Sequence, residues 1–129
     1  MAMTDRVRAP VRGHLPTVTV WHNPRCSKSR TAVELLRAKA KVEIRRYLED
    51  APTADELRAL LAQLGRPAID LARHKDAAFH AAGLSRDSAQ EALIAAMAAN
   101  PALIERPIAL YNGRAVIGRP PEDCLSLLP

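Results

Sequence analysis

The sequence predicts an α/β domain on a mixed four-stranded sheet, in the order β-α-β, a helical insertion, then β-β-α. Three observations predict it. A strand–helix–strand pattern occupies Thr17 to Leu48, helices without strands follow to about Ala99, and an Asn-Gly hairpin signal lies near the C-terminus. With 129 residues the chain makes one domain, placed over residues 17–129.

Each element has its own signal. Thr17–Trp21, TVTVW, is β-branched and reads as a strand. Pro24 ends it, because proline lacks an amide donor and restricts Asn23. Ser27 to about Ala40 reads as a helix with Val33, Leu36 and Ala40 on one face. Val42–Leu48 is the second strand, and its long connection to the first implies a parallel pair. Thr53 and Glu56 form a capping box, and Leu57, Leu60, Leu61 and Leu64 make one buried stripe that Gly65 and Pro67 end. Residues 68–82 read as short helical pieces. Asp87 to about Ala99 is a further helix, stopped by Asn100-Pro101. Ile108–Tyr111 and Ala115–Ile117 flank Asn112-Gly113, a pair that accepts the positive φ of a type I′ turn. A last helix runs from Pro120 to about Leu128.

Composition narrows the function. Residues 1–16 carry Pro10, Gly13 and Pro16 and no continuous apolar stretch, so they read as a disordered arm rather than a signal peptide. The chain is therefore expected in the cytoplasm, with reduced thiols. No run of 18 apolar residues exists, so no membrane span is expected. Cys26 and Cys124, the two cysteines, cannot make a disulfide scaffold or a four-thiolate zinc site. Net charge is +5, from 19 Lys+Arg against 14 Asp+Glu, which suits an anionic partner. Aromatics are only 3%, which offers little for base stacking, so a small oxyanion fits better than nucleic acid. Phosphate-cradling glycine motifs are absent, and His74, Asp76 and His80 have no metal-ligand spacing, so no metal is expected.

The chemistry concentrates at Trp21-His22-Asn23-Pro24-Arg25-Cys26-Ser27-Lys28-Ser29-Arg30. Cys26 stands between the first strand and the first helix, where free helix N–H groups and the positive dipole end favour thiolate. Arg25, Lys28 and Arg30 push the same way, which makes a plausible nucleophile. The bland alternative is a small hydrophobe at a helix start. Position 29 is serine, so no C-x-x-C disulfide can form. Cys124, with Leu127 and Leu128 three and four residues on, reads as core, or as a resolving cysteine. His22 could tune Cys26 or simply hold its loop.

The segment HNPRCSKSR between strand and helix, followed by Glu105-Arg106-Pro107-Ile108 and Ile117-Gly118-Arg119-Pro120-Pro121-Glu122, resembles the glutaredoxin-coupled arsenate reductases of ArsC type. Tyr47-Leu48-Glu49 and the helix start at Thr53 fit as well, and the likeness runs from about Thr17 to Leu128. It implies a thioredoxin-like fold with a helical insertion. It implies that Cys26 is the nucleophile, that His22 helps keep its thiolate, and that Arg73, Arg106 and Arg119 bind arsenate or a similar oxyanion. Arginine's planar donor fork suits that task. Pro107 is the expected cis-proline. Glutathione would be co-substrate and glutaredoxin the partner, with no bound cofactor. Where the family usually has Gly-Thr, this chain has Ser27-Lys28. Two rivals stand beside this reading: a thiol oxidoreductase acting on a glutathione mixed disulfide, and an RNA polymerase-binding regulator resembling the Spx proteins. Those regulators typically carry C-x-x-C, which Ser29 removes.

Overall fold

The structure is a computed structural model, and it describes residues 15–129. Of the arm expected over residues 1–16, all but Leu15 and Pro16 lies outside the described residues. Pro16 already touches the sheet, its carbonyl accepting from Lys41 N–H at 2.9 Å.

Four strands form one sheet: β1 (Thr17–Trp21), β2 (Lys41–Arg45), β3 (Ile108–Tyr111) and β4 (Arg114–Ile117), in spatial order β2-β1-β3-β4. The β1–β2 pair is parallel and the others antiparallel, so the sheet is mixed as expected. The parallel pair is bridged by α1 (Ser27–Arg37). The insertion holds α2 (Ala54–Leu64), α3 (Ala68–Leu71), α4 (Ala77–Ala81) and α5 (Gln90–Ala99). A 3-10 helix over Pro121–Leu127 closes the chain, where an α-helix was expected.

Side chains alternate across the pleat and build two cores. Val18, Val20 and Ala109 face Ala32, Val33 and Leu36 of α1 with Cys124 and Leu127. Trp21, Ile108, Ala115 and Ile117 face Leu57, Leu60, Leu61, Leu71, Phe79, Leu93 and Met97. The capping box forms as predicted, Glu56 N–H donating to Thr53 Oγ1 at 3.1 Å and Thr53 N–H to Glu56 Oε1 at 3.0 Å. Asn112 and Gly113 take φ of 52° and 76°, which builds the expected hairpin.

Three boundaries move. The first helix ends at Arg37, and a turn in which Lys39 and Ala40 N–H both bond Leu36 C=O carries Ala40 inward. The second strand stops at Arg45, because Glu49 and Asp50 N–H fold back onto Arg46 C=O. That turn drives Tyr47 into the interior instead of along an edge. Helix α5 begins at Gln90, after a turn in which Ser88 N–H donates to Ser85 C=O.

Candidate active site

Sheet register gathers the site. Trp21 at the end of β1 pairs with Arg45 at the end of β2 and with Ile108 at the start of β3. Ile108 in turn pairs with Ile117 at the end of β4. The segments around Cys26, Tyr47, Arg106-Pro107 and Arg119 therefore leave the sheet at one rim. The insertion reaches the same rim through a single bridge, Ala72 to Ile104. It is flanked by Arg73 N–H to Leu103 C=O at 2.8 Å and Glu105 N–H to Leu71 C=O at 2.7 Å.

Cys26 is the N-cap residue of α1, with extended backbone (φ −94°, ψ 122°). Asn23 shapes the loop before it, accepting from Cys26 N–H through its carbonyl and from Arg25 N–H through Oδ1, each at 3.0 Å. Ser29, fully buried, accepts from Asn23 N–H at 3.4 Å. Burial acts to raise the Cys26 pKa, but the amide groups of Ser29 and Lys28 and the Arg106 guanidinium outweigh it. The net result is a lowered value and a thiolate-prone sulfur. The leading cation is thus Arg106, brought from the far end of the sequence, while Arg25, Lys28 and Arg30 are exposed.

His22 directly follows β1, at the start of the loop that carries Cys26. Burial, then the charges of Arg46, Arg37 and Arg30, hold its pKa below the ordinary value, so the ring is neutral at pH 7. A neutral imidazole supplies no cation to Cys26. Its Nδ1 is buried without a hydrogen-bond partner among the described residues.

The three arginines meet through shared groups. Arg106 faces Cys26, and its Nε is buried without a partner among the described residues. Arg119 Nε donates to Arg106 C=O at 3.0 Å. Arg73 and Arg119 lie on either side of Glu105, and Arg73 Nη1 also pairs with Asp76 at 3.0 Å. Arg73, Arg119, Glu105 and Asp76 line an open cavity of about 430 Å³ with His74 and Lys75. The Arg106–Pro107 bond is cis, as expected, and the same dipeptide at Arg119-Pro120 is cis too.

Two neighbours escaped the sequence reading. Burial pushes the Tyr47 phenol up to about 12, against the opposing charges of Arg106 and Arg73, and Cys26 and Glu105 act on it as well. Its hydroxyl stays protonated and lies within electrostatic reach of Cys26, Arg73, Glu105 and Arg106. Glu105 is the other, and with Arg106 it is the only charge between Asn100 and Ile108. Cys124, by contrast, is wholly buried, and burial and Asp123 push its thiol up to about 11. That environment fits the core reading and not a resolving cysteine. Among the described residues no three His, Cys, Asp or Glu side chains group as metal ligands, and no helix is long and apolar enough to cross a membrane.

Known proteins resemble this chain in sequence and fold. The chain is 46% identical over 114 residues to the Escherichia coli K12 protein YfgD, covering 86% of this chain and 96% of that one. It is 40% identical over 117 residues to an arsenate reductase of Neisseria meningitidis serogroup A, covering 88% of this chain and all (100%) of the relative. The solved arsenate reductase of Vibrio cholerae superposes with a TM-score of 0.85 at 40% identity, covering 89% of this chain and 100% of that one. The fold is accordingly thioredoxin-like. Residues 21–127, from the last residue of β1 to the end of the last 3-10 helix, match the ArsC family, and the chain belongs to it.

Proposed function

We propose that this protein reduces arsenate to arsenite, with Cys26 as nucleophile and glutathione and glutaredoxin as the source of electrons. One observation carries the reading. A thiolate-prone cysteine faces an arginine whose Nε is buried and has no partner among the described residues, and Arg119, bonded to that arginine's carbonyl, lines a cavity with Arg73. A buried donor without an acceptor is costly, so it marks a place where a ligand oxygen fits. Relatives named arsenate reductase support the choice of substrate.

In this reading the Cys26 thiolate attacks arsenic and a protonated oxygen leaves as water. Arg106, Arg73 and Arg119 balance the charge of the anion and of its transition state. Glutathione then condenses with the arsenic of the adduct and a second water leaves. A glutaredoxin thiol attacks the glutathione sulfur, the arsenic–sulfur bond breaks with its electron pair left on arsenic, and a mixed disulfide forms. Water hydrolyses the remaining Cys26–arsenic bond and frees arsenite and the Cys26 thiol. Arsenic(V) becomes arsenic(III), the glutathione and glutaredoxin thiols become a disulfide, and one water is released net. No bound cofactor or metal enters. The reducing cytoplasm supplies the thiols.

The test is a coupled assay with arsenate, glutathione, glutaredoxin, glutathione reductase and NADPH. Arsenate-dependent NADPH oxidation that disappears in Cys26→Ser is the expected result. Oxidation that proceeds with a glutathione mixed disulfide but not with arsenate would move the assignment to a general thiol oxidoreductase. Silence with both would favour a regulatory role.

A further inference from the structure

Glu105 has no part in the reaction proposed above, yet its carboxylate stands between two of the three arginines. Its Oε1 is 3.4 Å from Arg119 Nε and 3.7 Å from Arg73 Nε. All three side chains line the 430 Å³ cavity. Two of the three arginines thus face a negative charge supplied by the chain itself.

The contact is loose. A charge-assisted bond between guanidinium and carboxylate runs about 2.7–2.9 Å and is frequently bidentate. This protein makes such a bond elsewhere: Arg45 holds Glu56 through Nη1 at 2.7 Å and Nη2 at 3.2 Å. Glu105 offers a single oxygen to both of its arginines, and both distances are long. The surrounding chain is not what is loose. The backbones of Arg73 and Glu105 are held by the short bonds at the Ala72–Ile104 bridge, and Arg119 Nε is fixed on Arg106 C=O. Arg73 has a closer partner in Asp76 at 3.0 Å, so these two long contacts are the salt bridges of the Glu105 carboxylate among the described residues.

We infer that Glu105 is a displaceable internal ligand of the oxyanion site, compensating Arg73 and Arg119 while the site is empty and competing with the anion that enters. The inference rests on the oxyanion reading above. An entering anion must push the carboxylate aside or bind next to it, and repulsion between like charges lowers affinity by either route. Replacing the carboxylate by an amide of the same shape removes the competing charge and keeps the polar surface. A residue that merely oriented the arginines would act with the opposite sign, since its loss would weaken anion binding.

Calorimetric titration with sodium sulfate at constant ionic strength reads the site without turnover. Glu105→Gln is expected to bind sulfate about tenfold more tightly than the parent protein. In the arsenate assay the same variant is expected to lower KM by a similar factor with little change in kcat. Glu105→Ala, which keeps no polar group, is expected to shift binding in the same direction and guards against one poorly packed variant. Unchanged or weaker sulfate binding in both variants would overturn the inference and leave the oxyanion site standing. Sulfate binding by none of the three proteins would remove the oxyanion reading itself, and the inference with it.

Discussion

Cys26 and Cys124 are the same side chain in two solvents. Cys26 sits where α1 begins, half-buried, with backbone amides and Arg106 turned toward its sulfur. Cys124 sits among Val18, Val20, Leu36 and Leu127, and burial pushes its thiol up to about 11. Both are withdrawn from water to some degree, and burial disfavours the anion in each. What separates them is whether donors accompany the burial. A cysteine becomes reactive here because the fold aims N–H groups at it, and its exposure is secondary.

The sharpest way to break the comparison is to exchange the roles by mutation. Cys26→Ser is expected to lower arsenate turnover by roughly a thousandfold or more, since a hydroxyl at neutral pH is a far weaker nucleophile than a thiolate. Cys124→Ala is expected to keep turnover near the parent value and to lose on the order of 1–2 kcal/mol of stability, read by urea unfolding. Next in size is Arg106→Ala. Removing one donor to a developing anion costs about 2–4 kcal/mol, or roughly 30- to 1000-fold in turnover. The same variant should raise the Cys26 pKa toward about 8.5, measured from iodoacetamide rate against pH. A variant that loses turnover while Cys26 keeps its lowered pKa would show that Arg106 serves the anion alone.

Smaller effects probe the buried thiol. A β-carbon at Gly118 would meet Cys124 Sγ at 2.6 Å and Pro107 Cγ at 2.8 Å. Gly118→Ala is therefore expected to destabilise by about 1–3 kcal/mol through overpacking, seen as a lower Tm. Smallest is the pH dependence of stability, where the two thiols have opposite signs. The Cys26 pKa is lower folded than unfolded, so the unfolded chain holds more protons and stability rises with pH up to about 8.5. The Cys124 pKa is higher folded than unfolded, so its contribution is full below about 8.5 and falls as pH climbs toward 11. Urea unfolding from pH 6 to 10 should show the rise flattened in Cys26→Ala and the fall flattened in Cys124→Ala.

Local signals were legible in the sequence, and signals carried by tertiary contact were not. Thr17–Trp21, the Thr53 capping box and the Asn112-Gly113 turn each depend on neighbours within a few residues, and they formed as read. Cys26 was legible for the same reason, since a helix start is a local fact. The identity of its main cation was not, because Arg106 lies 80 positions away and only the β1–β3 pairing brings it near. Family resemblance pointed to that arginine where composition could not. Tyr47 was hidden because a turn after β2 overrides the strand pattern. Glu105 was hidden because a carboxylate beside an arginine looks like ordinary surface. Nor could the sequence report that His22 is neutral, which follows from burial near arginines of α1 and of the turn after β2.

The β3–β4 hairpin has a consequence at its open end. Arg106 and Pro107 enter β3 there, and Arg119 departs just after β4, while the Asn112-Gly113 turn stands four residues of strand away. The turn is thus a ruler for the anion pocket. Each strand residue advances about 3.4 Å, and a slip of one residue would also turn every side chain to the opposite face. The spacing of the backbone that carries Arg106 and Arg119 at one rim of the sheet is therefore set by Asn112 and Gly113 at the other.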